Sequence, residues 1–79
     1  MQFFVFIGCA PGKTSEVGLS IAEKALPQVQ EIYSVSGDWD LLMKLYIPEG
    51  ADIGHFINEQ LLDIPDIERS LTTLTFKAF

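Results

Sequence analysis

The sequence contains one cysteine, Cys9, and one histidine, His55, in 79 residues. No disulfide framework can form within the chain, and no second thiol exists to build a metal knuckle. Basic residues are scarce as well: five of them, at positions 13, 24, 44, 69 and 77, face eleven acids, for a formal net charge of -6. Affinity for phosphate backbones comes from clustered Lys and Arg, so scattered cations in an acidic chain argue against direct nucleic-acid binding. No apolar run approaches the roughly 20 residues of a membrane span. Met1 to Ala10 resembles the apolar stretch of a signal peptide, and Phe6-Ile7-Gly8-Cys9 loosely resembles a lipoprotein cleavage site. The stretch has no positively charged leader, and its removal would delete most of a strand. The expectation is therefore a soluble, cytoplasmic protein. Internal repeats, linkers and low-complexity tracts are also missing, which leaves one domain over residues 1–79.

What the chain does have is apolar surface: 48% of its residues are hydrophobic and 11% aromatic. A chain this short buries only about 60% of the surface its unfolded form exposes, so part of that apolar content calls for a partner.

The order of elements follows from changes of period. Phe3 to Ile7 is a continuous aromatic and β-branched run that suits a buried strand, and Pro11-Gly12 breaks it. Val17, Ile21, Ala22, Ala25 and Leu26 then recur at helical spacing, with Thr14 or Ser15 as the N-terminal cap and Pro27 as the stop, which predicts a helix over 14–26. Val29 to Ser36 and Trp39 to Ile47 read as two strands of a hairpin turned by Gly37-Asp38. Ile53, Phe56, Ile57, Leu61 and Ile64 mark a second amphipathic helix capped by Asp52, and Ile67 to Phe79 is a final β-rich segment. The order β-α-β-β-α-β predicts an α+β, ferredoxin-like fold: a four-stranded antiparallel sheet with both helices on one face. The other face is left open. Strand alternation puts Trp39, Leu41, Met43, Leu45 and Ile47 on one side, and Leu42 and Tyr46 among Asp40 and Lys44 on the other. Neither set suits bare water, so sheet-to-sheet pairing into a dimeric α/β barrel is expected.

Several groups invite a chemical reading. Gly8-Cys9-Ala10-Pro11-Gly12-Lys13-Thr14 sits between strand and helix, where a phosphate loop belongs, but only three residues separate the glycines and Pro11 has no N–H to offer. Cys9 reads as a buried or half-buried thiol, and His55 as a solvent-facing residue on the polar side of its helix. Asp38 and Asp40 point to opposite faces of an extended strand and form no obvious acid/base pair. Asp63, Asp66 and Glu68 read as a solvated rim. Trp39 at the hairpin tip is either a packing plug or the wall of a ligand site. No cofactor or metal is called for.

One combination is more specific. Gly37-Asp38-Trp39-Asp40-Leu41-Leu42-Met43-Lys44, followed by Ile67-Glu68-Arg69-Ser70-Leu71-Thr72, resembles the effector-sensing domain of the Lrp/AsnC family of feast/famine transcriptional regulators. The family's hairpin signature is Gly-x-(Tyr or Trp)-Asp followed by apolar residues, and its last strand opens with Val-x-x-Thr-x-Thr. The chain matches the first; in the second it has Ile67 for Val and Ser70 for Thr, and it has Pro65-Asp66 where Pro-Gly is usual. The resemblance runs from Gln2 to Phe79, with no helix-turn-helix before the first strand, so a stand-alone sensing module, or RAM domain, is expected.

The resemblance implies sheet-to-sheet dimers that close into rings, commonly octamers, with a free amino acid bound where dimers meet. It assigns Gly37, Asp38, Trp39, Asp40, Ser70 and Thr72 to that ligand site. A zwitterion needs an anion for its ammonium group, which Asp38 or Asp40 supplies, and donors for its carboxylate, which Gly37, Ser70 and Thr72 supply. On the residues alone, Gly37 is a turn residue, Asp40 caps the turn, and Ser70 and Thr72 favour strand packing. Two other roles stay open: a module that joins a full-length Lrp/AsnC regulator in mixed rings, and a small dimeric α/β-barrel oxygenase or isomerase using His55, Asp40 and Arg69.

Overall fold

A computed structural model describes residues 1–79. Strand β1 (Gln2–Cys9) is central: it pairs antiparallel with β3 (Leu41–Tyr46) on one side and with β4 (Ile67–Leu74) on the other, so that Val5 lies opposite both Met43 and Thr72. Strand β2 (Val29–Ser34) pairs antiparallel with the outer edge of β3, giving the order β2-β3-β1-β4. Helix α1 (Thr14–Lys24) links β1 to β2, and α2 (Ile53–Phe56), continued by a π-helical turn over Ile57–Leu61, links β3 to β4.

Alternation along the strands decides which face the helices cover. Phe3, Val5, Ile7 and Cys9 of β1, together with Leu41, Met43 and Leu45 of β3 and the adjoining Ile47, are buried in one cluster. That cluster also holds Val17 and Ile21 of α1 and Phe56, Ile57, Leu61 and Ile64 of the second helical segment. Both helices therefore lie on the same side of the sheet, in the ferredoxin-like α+β fold expected. The opposite face carries Phe4, Phe6, Leu42, Tyr33, Tyr46 and Leu71 with no layer over them; Tyr46 and Leu71 are 52% and 48% exposed.

The elements depart from the sequence reading at their ends, for identifiable reasons. Helix α1 starts without the side-chain cap expected from Thr14 or Ser15: its first turn is closed by the Val17 N–H donating to the Lys13 carbonyl at 2.9 Å. It stops at Lys24 because Ala25 turns left-handed, with φ 49°. Asp52 does cap α2, accepting from the His55 N–H at 3.2 Å. The regular period is then lost: Leu62 donates to the Ile57 carbonyl five residues back, and Ile57 and Leu61 both remain buried in the wider turn. Strand β4 ends at Leu74 instead of running to Phe79, because β1 begins at Gln2 and its carbonyl takes the last bond, from the Thr75 N–H at 3.2 Å. Strand β3 starts at Leu41, two residues later than expected. The hairpin connection is correspondingly longer than a Gly37-Asp38 turn, and it is closed by the Val35 N–H donating to the Asp40 carbonyl at 3.0 Å.

Leu45 is fully buried at the centre of this core. Leu45→Ala should lower stability by about 2–5 kcal/mol, the range for emptying a leucine site that cannot collapse, as measured by urea denaturation.

Candidate functional site

The hairpin turn is built around Asp40. Its backbone N–H donates to the Ile7 carbonyl at 3.0 Å, and its Oδ2 accepts from the Cys9 N–H at 2.7 Å. The pairing of β1 with β4 shifts register between Gly8 and Cys9, and the Cys9 N–H is satisfied by this carboxylate instead. A charge-assisted bond of this kind is stronger than a bond between neutral groups. Asp40 therefore ties the turn to the end of β1, which is also why the β3 ladder begins only at Leu41.

Trp39 does not share the helix-facing side with Leu41, as strict alternation predicted. Asp40 is drawn onto β1, and the indole turns to the open face instead, 5.8 Å from the Phe6 ring at an interplanar angle of 42°. The Arg69 guanidinium carbon lies 4.1 Å from the Trp39 ring centroid. Arg69 Nη2 also donates to the Asp38 carbonyl. Gly37, next in the turn, has φ 100°, a conformation that favours glycine.

The six residues assigned to the ligand site fall into two groups. Gly37, Asp38, Trp39 and Asp40 form the turn at one end of the sheet. Ser70 and Thr72 lie opposite Ile7 and Val5, so their side chains share the helix-facing side, while Arg69 and Leu71 point to the open face. Because β4 is an edge strand, both Ser70 and Thr72 stay exposed. The clefts of the single chain lie elsewhere; one of about 260 Å³ runs between α1 and β2 past Ile21, Leu26 and Ile32. None is lined by any of the six.

Arg69 is the residue in contact with the turn that motif reading missed, since it entered only as a member of the enzyme alternative. The available signal was Gly8, a glycine inside an otherwise bulky strand, which marks a close approach by a neighbour. The three enzyme candidates are not brought together. His55 is exposed on the helical layer, Arg69 lies on the opposite face of the sheet, and Asp40 is bound to Cys9. The Cys9 thiol is held protonated by burial first and by the negative charge of Asp40 second, both of which push its pKa up. On the open face, the Tyr33 hydroxyl donates to Glu31 and Lys44 lies 3.4 Å from the same carboxylate. These two partners, the hydroxyl first, hold Glu31 below the usual carboxylate range. No group of three His, Cys, Asp or Glu side chains is placed to hold a metal ion.

A family model described as the Lrp/AsnC ligand binding domain matches residues 2–79. In sequence the chain is similar to an uncharacterized HTH-type transcriptional regulator of Pyrococcus horikoshii, with 33% identity over 61 residues, covering 77% of this chain and 39% of that protein. The chain thus spans about two fifths of the length of the curated relatives it matches. In structure it is similar to a Thermus thermophilus protein at a TM-score of 0.85 and 32% identity, covering 99% of this chain and 95% of that one. It also shares its fold, at a TM-score of 0.80 and 18% identity, with a Neisseria meningitidis transcriptional regulator solved in complex with L-Met, covering 98% of this chain and 50% of that one.

Asp40→Ala leaves the Cys9 N–H without its acceptor and should destabilise the fold by about 1–3 kcal/mol in urea denaturation. The same change removes a negative charge that keeps the Cys9 thiol protonated, so alkylation of Cys9 at fixed pH should be faster in the variant than in the wild type.

Proposed function

The chain belongs to the Lrp/AsnC family, whose ligand-binding domain it carries, and from that premise we propose that it is a cytoplasmic regulatory module that senses a free amino acid. It acts as a homodimer that assembles further into rings such as octamers, and modulates transcription through full-length Lrp/AsnC regulators without contacting DNA or catalysing a reaction. The regulatory role is supported by relatives named as transcriptional regulators. No helix is long and apolar enough to cross a membrane.

The observation that carries the reading is the turn Gly37–Asp40, exposed at Gly37 and Asp38 and half-buried at Trp39 and Asp40, pinned at the end of the sheet beside an apolar face with no cover. Pairing two such faces buries Phe4, Phe6, Leu42 and Leu71 and brings turns from different copies near one another. The split between the turn and the Ser70–Thr72 group fits this arrangement, because a pocket using both is more easily built from several copies than from one. Of the two acids, the Asp40 carboxylate is already engaged by Cys9, so Asp38 is the one offered to an ammonium group. Ser70 and Thr72 supply hydroxyl donors for a carboxylate, and a charged ligand head withdrawn from water needs both kinds of partner. An amino acid is a fitting effector, and L-methionine is the first to try because the Neisseria regulator of the same fold holds it.

Two measurements test the proposal. Calorimetric titration with the common amino acids, beginning with L-methionine, should show saturable binding by at least one, weakened in Asp38→Ala; a folded, assembled protein that binds none overturns the sensing role. Sedimentation at micromolar concentration should give a dimer or larger species, and Leu71→Glu should shift it toward monomer by placing a charge on the apolar face. A wild type that sediments as a stable monomer overturns the dimer.

A further inference from the structure

Besides its backbone-to-backbone bonds, from the Asp40 N–H to the Ile7 carbonyl and from the Val35 N–H to the Asp40 carbonyl, the turn Gly37–Asp40 is held by two hydrogen bonds that use side chains. One is the Asp40 bond to Cys9, made by a residue of the turn itself. The other comes from β4, through Arg69. We propose that Arg69 is a positioning residue for the effector turn, its guanidinium clamping Trp39 and the Asp38 carbonyl together, and that Gly8 is the residue that makes room for the clamp.

The geometry of Gly8 carries the second half of this proposal. Gly8 lies directly opposite Arg69 in the β1–β4 ladder and is buried. A Cβ added there would stand 2.7 Å from Arg69 Cγ and 2.8 Å from Nε, inside van der Waals contact. Gly8 is not among the positive-φ glycines, which are Gly12, Gly37 and Gly50. Its backbone would accept any residue, so the lack of a side chain serves the passage of the arginine and not a turn. Running across Gly8, the Arg69 stem delivers the guanidinium to the Trp39 face at 4.1 Å, while Nη2 reaches the Asp38 carbonyl. Phe6, 5.8 Å away, packs against the same indole. A planar guanidinium can stack on a ring and donate sideways at the same time, whereas the point charge of a lysine ammonium cannot reproduce both contacts.

The consequence is pre-organisation. With glycine at position 37 the released turn has many conformations, and a ligand would have to order them at the expense of its own affinity. The clamp orders the turn before any ligand arrives. This effect on affinity rests on the amino-acid-sensing reading; the clamp itself does not.

Trp39 is the only tryptophan in the chain, so its fluorescence reports the clamp directly. The experiment compares wild type, Arg69→Ala, Arg69→Lys and Gly8→Ala by acrylamide quenching of Trp39, by circular dichroism, and by calorimetric titration with L-methionine and the other common amino acids. Arg69→Ala and Gly8→Ala should both make Trp39 more accessible to the quencher and weaken binding about tenfold, with secondary structure retained. Arg69→Lys should fall between wild type and Arg69→Ala in both readouts. The proposal is overturned if Arg69→Ala keeps the wild-type quenching, or if quenching rises while affinity stays unchanged. If Gly8→Ala does not fold, Arg69→Ala and Arg69→Lys decide alone. If the wild type binds no amino acid, the sensing reading fails and quenching decides the clamp, which falls if the Arg69 variants leave Trp39 as protected as in the wild type.

Discussion

The pleat of β1 is the constraint on which the rest of the molecule depends. Because this strand has neighbours on both sides, its side chains must divide strictly between two faces. Phe3, Val5, Ile7 and Cys9 go to the helices and are buried there. Phe4, Phe6 and Gly8 go to the open side. The first set gives α1 and α2 a single surface to cover. In the second set, two aromatic rings define an exposed apolar face, and the glycine lets a long cation cross from β4 to the hairpin. Even the end of β1 is used, since the register shift after Gly8 gives the Cys9 N–H to Asp40.

The hairpin turn thus owes its shape to two strands that are not its own. From β1 it receives a hydrogen bond to a carboxylate, and from β4 a guanidinium lying on its indole. These interactions differ in kind: the first satisfies a backbone donor at a sheet end, and the second combines ring stacking with a bond to a carbonyl. Together they hold a glycine-containing segment that local bonding alone leaves free, in the family's signature position. Ser70 and Thr72 belong to the same signature, yet the pleat of β4 turns them away from the turn. A small domain with an uncovered apolar face calls for a partner to cover it.

Much of this was readable from local patterns. The element order followed from shifts between strand and helix period at Pro11-Gly12 and Pro27, and Asp52 was recognisable as a cap because a cap bonds within three residues of itself. The expected cap at Thr14 or Ser15 failed, since both residues lie inside the first helical turn and Lys13, which makes no side-chain cap bond, holds the N-cap position. The widening of α2 at Ile57 was also hidden, because the apolar spacing there fits an ordinary helix equally well. Trp39 was misplaced for a different reason: alternation was extended two residues past the point where the β3 ladder begins, and that point is set by Asp40 reaching a distant strand.

By itself the sequence determined the periodicities, the breakers, the apolar excess and the two motifs that mark the Lrp/AsnC ligand-binding domain, all of which are properties of neighbouring residues. The tertiary structure alone decided how the turn is held and which way its residues face. The Asp40–Cys9 and Arg69–Asp38 bonds each join residues 31 positions apart. Neither bond follows from spacing along the chain, because each forms only when the folded sheet sets the turn against β1 and β4. Arg69 needed the tertiary structure most of all: its side chain is an exposed cation by composition, and only the missing Cβ of Gly8 across the ladder turns it into a clamp.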